Sequence, residues 1–346
     1  MYLKNAWYVA GWSKDFDHDL KAETFLGEEI VIYRKRDGSP VALEDACPHR
    51  KLPLSKGSLK DDTVVCGYHG LTFDCSGACV AAPTQPDRIP SRAVVRSYPV
   101  VDRYRFLWIW MGDPSLADPD KIFPIENFDS PEWGYTDGGV IDIECNYLWI
   151  VDNLLDPSHV AWVHLTSFAG AGTEDQPLHV ARTERGVIVS RWIYDRPPSP
   201  YYAGLVRFEG NCDRLQHYEM CYPAIGLNKS VYTPVGTGGP DMAPVEKTFI
   251  NISYNFMTPI DEDRSRYFWF QHRNSDPQDQ AISEKMNAGA RMAFEEDRAV
   301  LVAVHKGMKH KKTPNIDLGL DSGAKLFRLQ LQRLIDEDAS AVTAAR

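Results

Sequence analysis

The chain has 346 residues, and its composition of 43% hydrophobic and 25% charged residues is that of a folded globular protein with enough chain for two domains. A formal net charge of −10 argues against nucleic acid and anionic membrane surfaces as partners, because both carry negative charge. No apolar run approaches the roughly 20 residues that span a bilayer, so the sequence does not predict a membrane protein.

The cysteines and the N-terminus indicate the compartment. Seven cysteines, an odd number spread over the chain, indicate reduced thiols and metal ligands rather than a disulfide framework. The first residues lack the apolar stretch of a secretory signal. We therefore expect a cytoplasmic protein.

The first part of the chain predicts a small all-β domain. Short apolar or alternating runs between turn residues place strands at 29–34, 41–44, 64–66, 94–101 and 106–111. The segment after Trp110 is rich in Gly, Asp and Pro, which predicts a connection with the domain boundary near residue 113. We expect one domain over residues 1–113 and a second over residues 114–346.

The second part of the chain predicts an α+β domain. Strand patterns at 187–194, 249–257 and 266–272 are combined with helical patterns around 147–164, 283–305 and 325–338. The Pro- and Gly-rich segment 233–244 predicts a loop. A mobile cover over one end of the sheet and an inert surface loop remain equally open for this segment.

Two short motifs, each with one cysteine and one histidine, predict a metal cluster. Cys47 and His49 stand two residues apart, and Cys66 and His69 stand three apart. Structural zinc sites commonly pair cysteine with cysteine and histidine with histidine, whereas a Rieske [2Fe–2S] centre takes two thiolates on one iron and two imidazoles on the other. The mixed pairs therefore favour the Rieske centre.

Two further cysteines lie close to these motifs in the sequence. Cys75 and Cys79 flank a Ser-Gly pair, which predicts a hairpin turn. We expect their thiols not to be ligands.

A second set of metal ligands is predicted around two histidines. His159 and His164 are five residues apart, which is about 140° on an ideal helix, so both can bind one ion only if the helix is distorted or ends between them. Pro157 provides a reason for such an interruption. Without further support, two structural histidines would be an equally good interpretation.

A distant aspartate supplies that support. Residues three, four and seven positions from Asp297 are all apolar, namely Ala290, Ala293, Phe294, Leu301 and Val304. Asp297 therefore belongs to the buried face, where a carboxylate needs a partner, while its neighbours Glu295, Glu296 and Arg298 can point to solvent. Two imidazoles and one carboxylate form the facial triad of non-heme Fe(II) oxygenases, with a buried salt bridge as the alternative.

With both sets of ligands, the sequence resembles the Rieske non-heme iron oxygenases, and among them the oxygenase components of the vanillate O-demethylase and toluenesulfonate methyl-monooxygenase type. The resemblance covers essentially the whole chain. It rests on the motifs NAWYVA at 5–10, CPHR at 47–50, CGYHGL at 66–71, IWMGDP at 109–114 and VDNLLD at 151–156. Pro157 departs from the residue expected between Asp156 and His159.

The resemblance implies an N-terminal all-β Rieske domain followed by a helix-grip catalytic domain with an antiparallel sheet. It implies that His159, His164 and Asp297 bind the mononuclear iron. Asp156 matches the family's bridging aspartate, which links a cluster histidine of one subunit to an iron-ligand histidine of the next. Such head-to-tail contact implies a cyclic oligomer, a homotrimer. A helix-capping role for Asp156 ahead of Pro157 remains open.

The electron source is expected to be another protein. The sequence has no Gly-x-Gly-x-x-Gly motif after a strand and no plant-type ferredoxin spacing of cysteines. We therefore expect a separate reductase, containing flavin and a [2Fe–2S] cluster, to bring electrons from NAD(P)H.

The implied function is that of a terminal oxygenase component, which uses O2 to hydroxylate a methyl or methoxy carbon of an aromatic acid. The alternatives are ring or N-methyl oxidation by the same centres, an electron-transfer protein without oxygenase activity, and a structural zinc protein. Asn251, Ser253 and Asn255 share one face of a predicted strand, and such a face more often meets solvent than a pocket. Asn255 and Asn228 are nevertheless candidates for binding a carboxylate, sulfonate or phenol.

Overall fold

The computed structural model describes residues 1–165, 168 and 176–344, with side chains described to residue 340. The backbone divides into two compact units. The first comprises Met1–Ile125, Thr258–Glu262 and the C-terminal end from Ala341, and the second comprises Glu126–Met257 and Asp263–Ser340. The domain boundary near residue 113 stays a prediction, because a division of the backbone into compact units does not define where the domain that holds each metal site ends.

The first unit is built from short strands and 3₁₀ turns. The strands are β1 (Trp7–Trp12), β2 (Lys21–Phe25), β3 (Glu28–Arg34), β4 (Pro40–Glu44), β5 (Ser58–Lys60), β6 (Thr63–Val65), β7 (Thr72–Phe73), β8 (Cys79–Ala81), β9 (Ser97–Tyr98), β10 (Val100–Arg103) and β11 (Phe106–Trp110). The 3₁₀ turns are Ser13–Asp15, Leu54–Lys56, Pro114–Leu116 and Pro119–Lys121. The strands pair in the orders β1-β11-β10, β2-β3-β4-β9 and β5-β6-β7-β8, which confirms the all-β prediction.

Strand β3 separates two hydrophobic cores of this unit. Because successive side chains of a strand point to opposite faces, Ile30 and Ile32 pack into one core and Val31 and Tyr33 into the other. The second core also contains the predicted ligands Cys47 and Cys66, along with Leu54, Val64 and Phe73.

The predicted strand at 94–101 is wrong as a single element. Pro99 lies between β9 and β10 and, lacking an N–H, cannot continue the ladder of hydrogen bonds. Val94 is 55% exposed and makes only an isolated bridge with Ala78. The apolar residues of this segment therefore belong to separate elements, namely the bridge at Val94 and the strands β9 and β10.

The second unit contains a large sheet. Its strands are β12 (Gly134–Tyr135), β13 (Gly139–Ile143), β14 (His179–Arg182), β15 (Gly186–Arg196), β16 (Cys212–Cys221), β17 (Ile225–Pro234), β18 (Phe249–Pro259) and β19 (Ser265–Arg273). They follow the order β12-β19-β18-β17-β16-β15-β14, with β13 also pairing β19. The three strands predicted here lie inside β15, β18 and β19, so the α+β prediction is confirmed.

The helices of the second unit are α1 (Tyr147–Leu154), α2 (Val160–Val163), α3 (Gln280–His310) and α4 (Ser322–Ala344), with a 3₁₀ turn at Gly319–Asp321. The predicted helix 147–164 is therefore two helices, and the interruption falls at Pro157, as the proline suggested. The side chain of Asn146 accepts a hydrogen bond from the Leu148 N–H and begins α1. In the part of the chain that is described, no helix has the length and hydropathy that crossing a membrane would require.

The Pro- and Gly-rich segment 233–244 is attached to the sheet at its start. Strand β17 continues to Pro234, and the buried Asp213 carboxylate accepts hydrogen bonds from the N–H groups of Gly236 at 2.7 Å and Gly238 at 3.2 Å. A Cβ atom at Gly238 would lie 2.5 Å from the Cβ of Asp213, so this close approach requires glycine.

Candidate functional site

The two cysteine-histidine loops fold in the same way. In the first, the Cys47 N–H donates to Leu52 O at 2.9 Å and the Lys51 N–H donates to Cys47 O at 2.8 Å. In the second, the Cys66 N–H donates to Leu71 O at 2.8 Å and the Gly70 N–H donates to Cys66 O at 3.0 Å. Each loop therefore closes on itself over six residues, beginning at its cysteine.

The equivalent position of both loops takes a left-handed backbone. Gly70 has φ of 72°, which suits glycine, whereas Lys51 adopts φ of 58° with a side chain present. The two backbone hydrogen bonds that close the first loop hold Lys51 in this conformation.

The two loops bring the four predicted cluster ligands together. The thiols of Cys47 and Cys66 are buried at 2% and 3% exposure, while His49 and His69 lie at the surface. The Nδ1 atoms of His49 and His69 are 3.1 Å apart. Burial raises the pKa of the Cys47 thiol, and the neighbouring Cys66 raises it further. Two thiols on one side and two imidazoles on the other are the donor set of a Rieske centre, so the residues fit that group.

The second pair of nearby cysteines lies in the predicted hairpin. The Asp74 carboxylate accepts hydrogen bonds from the N–H groups of Ser76 and Ala78, and Gly77 has φ of 85°. Cys75 is exposed, and the Cys79 thiol donates to Ala81 O at 3.3 Å. The hairpin prediction is confirmed.

The second set of ligands meets between the α1–α2 region and α3. Asp297 Oδ1 lies 3.6 Å from His159 Nε2 and 3.2 Å from His164 Nε2, and suitable ligand atoms of the three residues all lie within 4.8 Å of one another. The Asp297 carboxyl group is 5% exposed and also accepts a hydrogen bond from Asn153 Nδ2 at 3.2 Å. Two imidazoles and one carboxylate facing a common point are the donor set of a non-heme Fe(II) site, so the residues fit this ion as well.

The other nitrogen of each histidine has its own acceptor. His159 Nδ1 contacts the backbone oxygen of Asp156, and His164 Nδ1 lies 2.8 Å from Glu296 Oε2. Because these acceptors hold the proton on Nδ1, both Nε2 atoms keep a free electron pair toward Asp297. Burial opposes charging of His164, but the carboxylates of Asp297 and Glu296 outweigh it and raise its pKa, so the site attracts positive charge.

Two expectations for the face of α3 are wrong. Glu296 does not simply point to solvent, because its side chain turns toward His164 and remains 32% exposed. Val304 does not belong to the buried face, since it is 39% exposed, whereas Ala290, Ala293 and Leu301 are buried as expected. After Asp297 the buried residues of α3 are Leu301 and His305, so the buried face passes beside Val304.

Asp156 lies in the turn between α1 and α2. One carboxylate oxygen accepts a hydrogen bond from the Ser158 N–H at 2.7 Å, and the other lies 4.0 Å from His159 Nδ1. It therefore stabilises the turn itself, while the N-cap of α2 is His159. The buried guanidinium of Arg191 holds the same turn by donating to Pro157 O at 3.1 Å.

A cavity opens beside the three ligands. Its apolar walls include Leu154, Val160, Phe168, Ala290, Ala293 and Phe294. Its polar lining consists of Tyr202, Tyr218, Asn228, Ser230, Ser253, Asn255 and Gln271. Burial raises the pKa of both Tyr202 and Tyr218, so these hydroxyls stay neutral.

The polar face of β18 faces this cavity rather than solvent. Asn251, Ser253 and Asn255 are 0%, 7% and 1% exposed, and the last two line the cavity with Asn228. The usual expectation of a solvent-facing strand is therefore wrong here, because residues of the α1–α2 region and of α3 lie across the cavity from this face.

Sequence reasoning missed several residues that position the ligands. Glu296, Asn153 and Arg191 contact the site, and Tyr267 donates to Asn255 Oδ1 at 2.7 Å. Asn153 lies inside the VDNLLD motif, four residues before Pro157, which was an available signal. The contacts of Arg191 and Tyr267 depend on strand pairing over long sequence separations, which no local pattern encodes.

Comparison with known proteins identifies the families to which the two parts of the chain are similar. The profile of the Rieske [2Fe–2S] domain matches residues 6–99, and that of the vanillate O-demethylase oxygenase C-terminal domain matches residues 143–337. The chain belongs to the Rieske non-heme iron oxygenases of the vanillate O-demethylase type. The fold and family implied by the sequence motifs are therefore confirmed.

Several members of this Rieske oxygenase family are similar to the chain over nearly its whole length. A putative toluene-4-sulfonate monooxygenase system iron-sulfur subunit from Comamonas testosteroni is 40% identical over 97% of both chains. A vanillate O-demethylase oxygenase subunit from Pseudomonas sp. (strain HR199 / DSM 7063) is 33% identical over 100% of this chain and 98% of its own. The crystal structure of dicamba monooxygenase bound to 3,6-dichlorosalicylic acid has a TM-score of 0.89 with 29% identity, covering 98% and 99% of the two chains.

Membership of this family establishes the enzyme class and its cofactors. The protein is a Rieske monooxygenase and the oxygenase component of its system, with a [2Fe–2S] cluster and a mononuclear Fe(II). Enzymes of this family take O2 as co-substrate and receive NAD(P)H electrons through a separate reductase.

Proposed function

We propose that the protein hydroxylates a methyl or methoxy carbon of an aromatic acid. The observation that carries this proposal is the cavity itself, in which aromatic and aliphatic walls and a few polar side chains stand beside the His159, His164 and Asp297 triad. For a methoxy group, hydroxylation gives a hemiacetal that collapses to a phenol and formaldehyde.

The metal-binding residues of the proposed enzyme divide between the two sites. Cys47, Cys66, His49 and His69 hold the cluster, within a Rieske domain of residues 1–113. His159, His164 and Asp297 hold Fe(II), within a catalytic domain of residues 114–346. When bound, the cluster supplies electrons singly and the Fe(II) activates O2.

The protein side chains orient these ligands and the substrate. Asp156 O and Glu296 keep the Nδ1 protons of the two histidines in place, while Asn153 donates to the buried carboxylate of Asp297. Phe168, Phe294 and the tyrosines exclude water from one side of the substrate ring. Asn228 and Asn255 provide the polar end of the cavity for the acid group. No Lys or Arg is among the described lining residues, so neutral donors would have to bind this anion.

The proposed assembly is a homotrimer in which Asp156 links the cluster of one subunit to the iron of the next. Two observations support contact between subunits. Trp162 on α2 is 78% exposed and Leu165 is 68% exposed, close in sequence to the Asp156 turn, and Tyr68 on the second cluster loop is 53% exposed. Large apolar side chains at both metal loops are typical of surfaces that another protein covers.

The proposed electron donor is a reductase with flavin and a [2Fe–2S] cluster, and the proposed compartment is the cytoplasm. The free cysteines support a reducing compartment, since Cys145, Cys212 and Cys221 are buried thiols.

The decisive experiment reconstitutes the purified oxygenase with an NADH-dependent reductase and screens methyl- and methoxy-substituted benzoates and benzenesulfonates. We expect substrate-dependent O2 uptake with formation of a benzylic alcohol, or of formaldehyde and a phenol. Failure to oxidise any of these compounds, with ring or N-methyl oxidation of others, would contradict the proposed substrate class.

Two variants test whether this activity belongs to the triad. Asp297→Ala should abolish O2 uptake while the visible spectrum of the cluster persists. Glu295→Gln is the matched control, because Glu295 lies on the same helix and bonds Arg298 at 3.1 Å, so it should keep the wild-type rate. Equal rates in Asp297→Ala and wild type would exclude the assigned iron site.

A further inference from the structure

A second pocket lies on the face of the large sheet opposite to the cavity beside the iron ligands. Side chains alternate between the two faces of a strand, so Asn228 of β17 faces that cavity whereas its neighbour Lys229 faces the second pocket. The floor of the second pocket is a row of apolar residues that pair across the neighbouring strands β15 to β18, namely Trp192, Leu215, Val231 and Ile250. The sheet itself therefore separates the two pockets.

The Pro- and Gly-rich segment 233–244 forms one side of the second pocket. Its start is held against the sheet by the buried carboxylate of Asp213, which accepts from the N–H groups of Gly236 and Gly238. The segment adds apolar wall residues, namely Pro240, Met242 and Pro244. The segment thus closes one end of the apolar floor.

Lys229 brings a positive charge to the pocket. Among the described lining residues it is the one that carries a charge, and it is partly buried. Within the described ranges of the chain, its ammonium group makes no hydrogen bond or ion pair. Glu219, a carboxylate on the same face of the sheet, lies 3.7 Å from His217 Nε2 and is paired there. An ammonium group beside an apolar floor and without a carboxylate partner is suited to an anionic ligand.

Three threonine hydroxyls form a directed chain of hydrogen bonds at the other end of the pocket. The Val245 N–H donates to Thr248 Oγ1 at 3.0 Å, and the Thr237 hydroxyl donates to Pro234 O at 2.7 Å. Because each hydroxyl has one proton, Thr233 must donate to Thr237 at 2.6 Å, and Thr248 must donate to Thr233 at 3.2 Å. All three protons are used within the protein, so this end offers a ligand only lone pairs.

We infer that this pocket is a second binding site, for a hydroxylated aromatic acid. The acid group binds Lys229, the ring lies on the apolar floor beside Trp192, and a phenolic hydroxyl donates to Thr237, which is partly exposed. Asp213 pairs with Thr233 across the strands, and its negative charge favours a donor over a second anion at this end.

The spacing of the two polar ends suits one substituted ring. Lys229 and Thr233 are four residues apart on β17, which is roughly 13 Å along a strand. A ring with an oxygen at each end, and a hydrogen bond of about 2.8 Å at each oxygen, spans a distance of this order.

The threonine end distinguishes a phenol from its methyl ether. A methoxy oxygen only accepts hydrogen bonds and would face the lone pairs of the hydroxyls, whereas a phenol can donate to them. The proposed demethylation converts the first group into the second, so the second site would recognise the product type of compound. The inference goes beyond the proposed function, because this preference can be measured whether or not the protein oxidises a methoxy group.

The first test counts the 4-hydroxybenzoate molecules bound per chain by equilibrium dialysis. The iron-loaded oxygenase is used without O2 and without reductase. We expect Lys229→Met to lose one bound equivalent, because removal of a charged hydrogen-bond donor weakens this site at least about tenfold. Lys247→Met is the matched control, since Lys247 is exposed and does not line the pocket, and it should bind as wild type does. Equal binding by Lys229→Met and wild type would overturn the inference.

The second test concerns the threonine end. At the site that depends on Lys229, 4-methoxybenzoate should bind about fivefold more weakly than 4-hydroxybenzoate, as for one neutral hydrogen bond. Thr237→Val keeps the shape of the side chain but removes the acceptor, so it should abolish this difference. Equal affinities of the two acids in wild type, or an unchanged difference in Thr237→Val, would contradict the inference.

The visible spectrum of the cluster shows which variants fold. Lys229→Arg keeps the charge and should keep the bound equivalent, and Thr237→Val tests the site by itself if Lys229→Met does not fold. Loss of the equivalent in Lys229→Arg as well would show that the charge of Lys229 does not bind the acid. Turnover does not enter these measurements, so a protein that binds 4-hydroxybenzoate here but oxidises no methoxy group would contradict the proposed function alone.

Discussion

At the scale of single residues, the iron site is asymmetric in what holds its two histidines. His159 Nδ1 contacts a backbone carbonyl, and His164 Nδ1 contacts the Glu296 carboxylate at 2.8 Å. A carboxylate carries a full charge, so it makes His164 the more basic ligand of the pair. Glu296 is adjacent to Asp297 in sequence, and α3 therefore supplies one candidate ligand and the support of another.

Replacement of Glu296 by Gln tests this support. The amide keeps one acceptor oxygen but loses the charge, so we expect Fe(II) to be released to a chelator about tenfold faster, with the cluster spectrum unchanged. Stopped-flow measurement with a coloured Fe(II) chelator gives the rate. Glu295→Gln should release Fe(II) as wild type does. Equal release from both variants and wild type would show that Glu296 does not support His164.

At the scale of elements, each cluster loop is a closed unit of local hydrogen bonds. The bonds within 47–52 and 66–71 join residues at most five positions apart. The loops that bring the candidate cluster ligands together could be predicted from sequence because residue spacing and backbone geometry are both local properties there. The same holds for the interruption between α1 and α2, which a proline signalled.

The elements that were not predicted depend on distant parts of the chain. The polar side chains of β18 suggested a solvent face, yet they are buried, with residues of α3 across the cavity from them, and the Asn255 amide bonds Asn228 and the Tyr267 hydroxyl. The contact of Glu296 with His164 joins residues 132 positions apart. A strand pattern or a helical wheel describes one element alone and cannot show which element covers it.

Variants of the cysteines test the loop assignment. Cys47→Ser removes one of four cluster ligands, so it should abolish both the visible spectrum and the activity. Cys79→Ala should leave both intact, because this thiol bonds Ala81 O in the neighbouring hairpin. Absorption and iron content of the purified proteins provide the measurement. Loss of colour in Cys79→Ala, or its retention in Cys47→Ser, would refute the proposed ligand set.

At the scale of the whole molecule, the chain carries one metal-binding region in each compact unit and a net charge of −10. Electrons must pass from the cluster to the iron. In the proposed trimer they pass from one subunit to the next, so the assembly itself completes the active site. Asp156 is the residue whose proposed role involves two subunits.

Asp156→Asn should retain both metals and the oligomer, because size and one acceptor oxygen are kept. Turnover should collapse, since a neutral amide with one acceptor cannot hold two imidazole N–H groups. We would measure cluster reoxidation by O2 with substrate bound and expect at least about a tenfold decrease. Asp142→Asn, at the surface pair with Arg266, is the control. Reoxidation at the wild-type rate would leave Asp156 as a residue that only stabilises its turn.

The short length of helix α2 limits which sequence changes are compatible with the iron site. It consists of Val160–Val163, with His159 and His164 as the residues that bound it. The two imidazoles are therefore separated by the four residues of this short helix, and an inserted or deleted residue would rotate one of them by about 100° and displace it by about 1.5 Å. Substitutions between the histidines are compatible with the site, whereas a change in length is not. Variation in this segment is thus confined to composition.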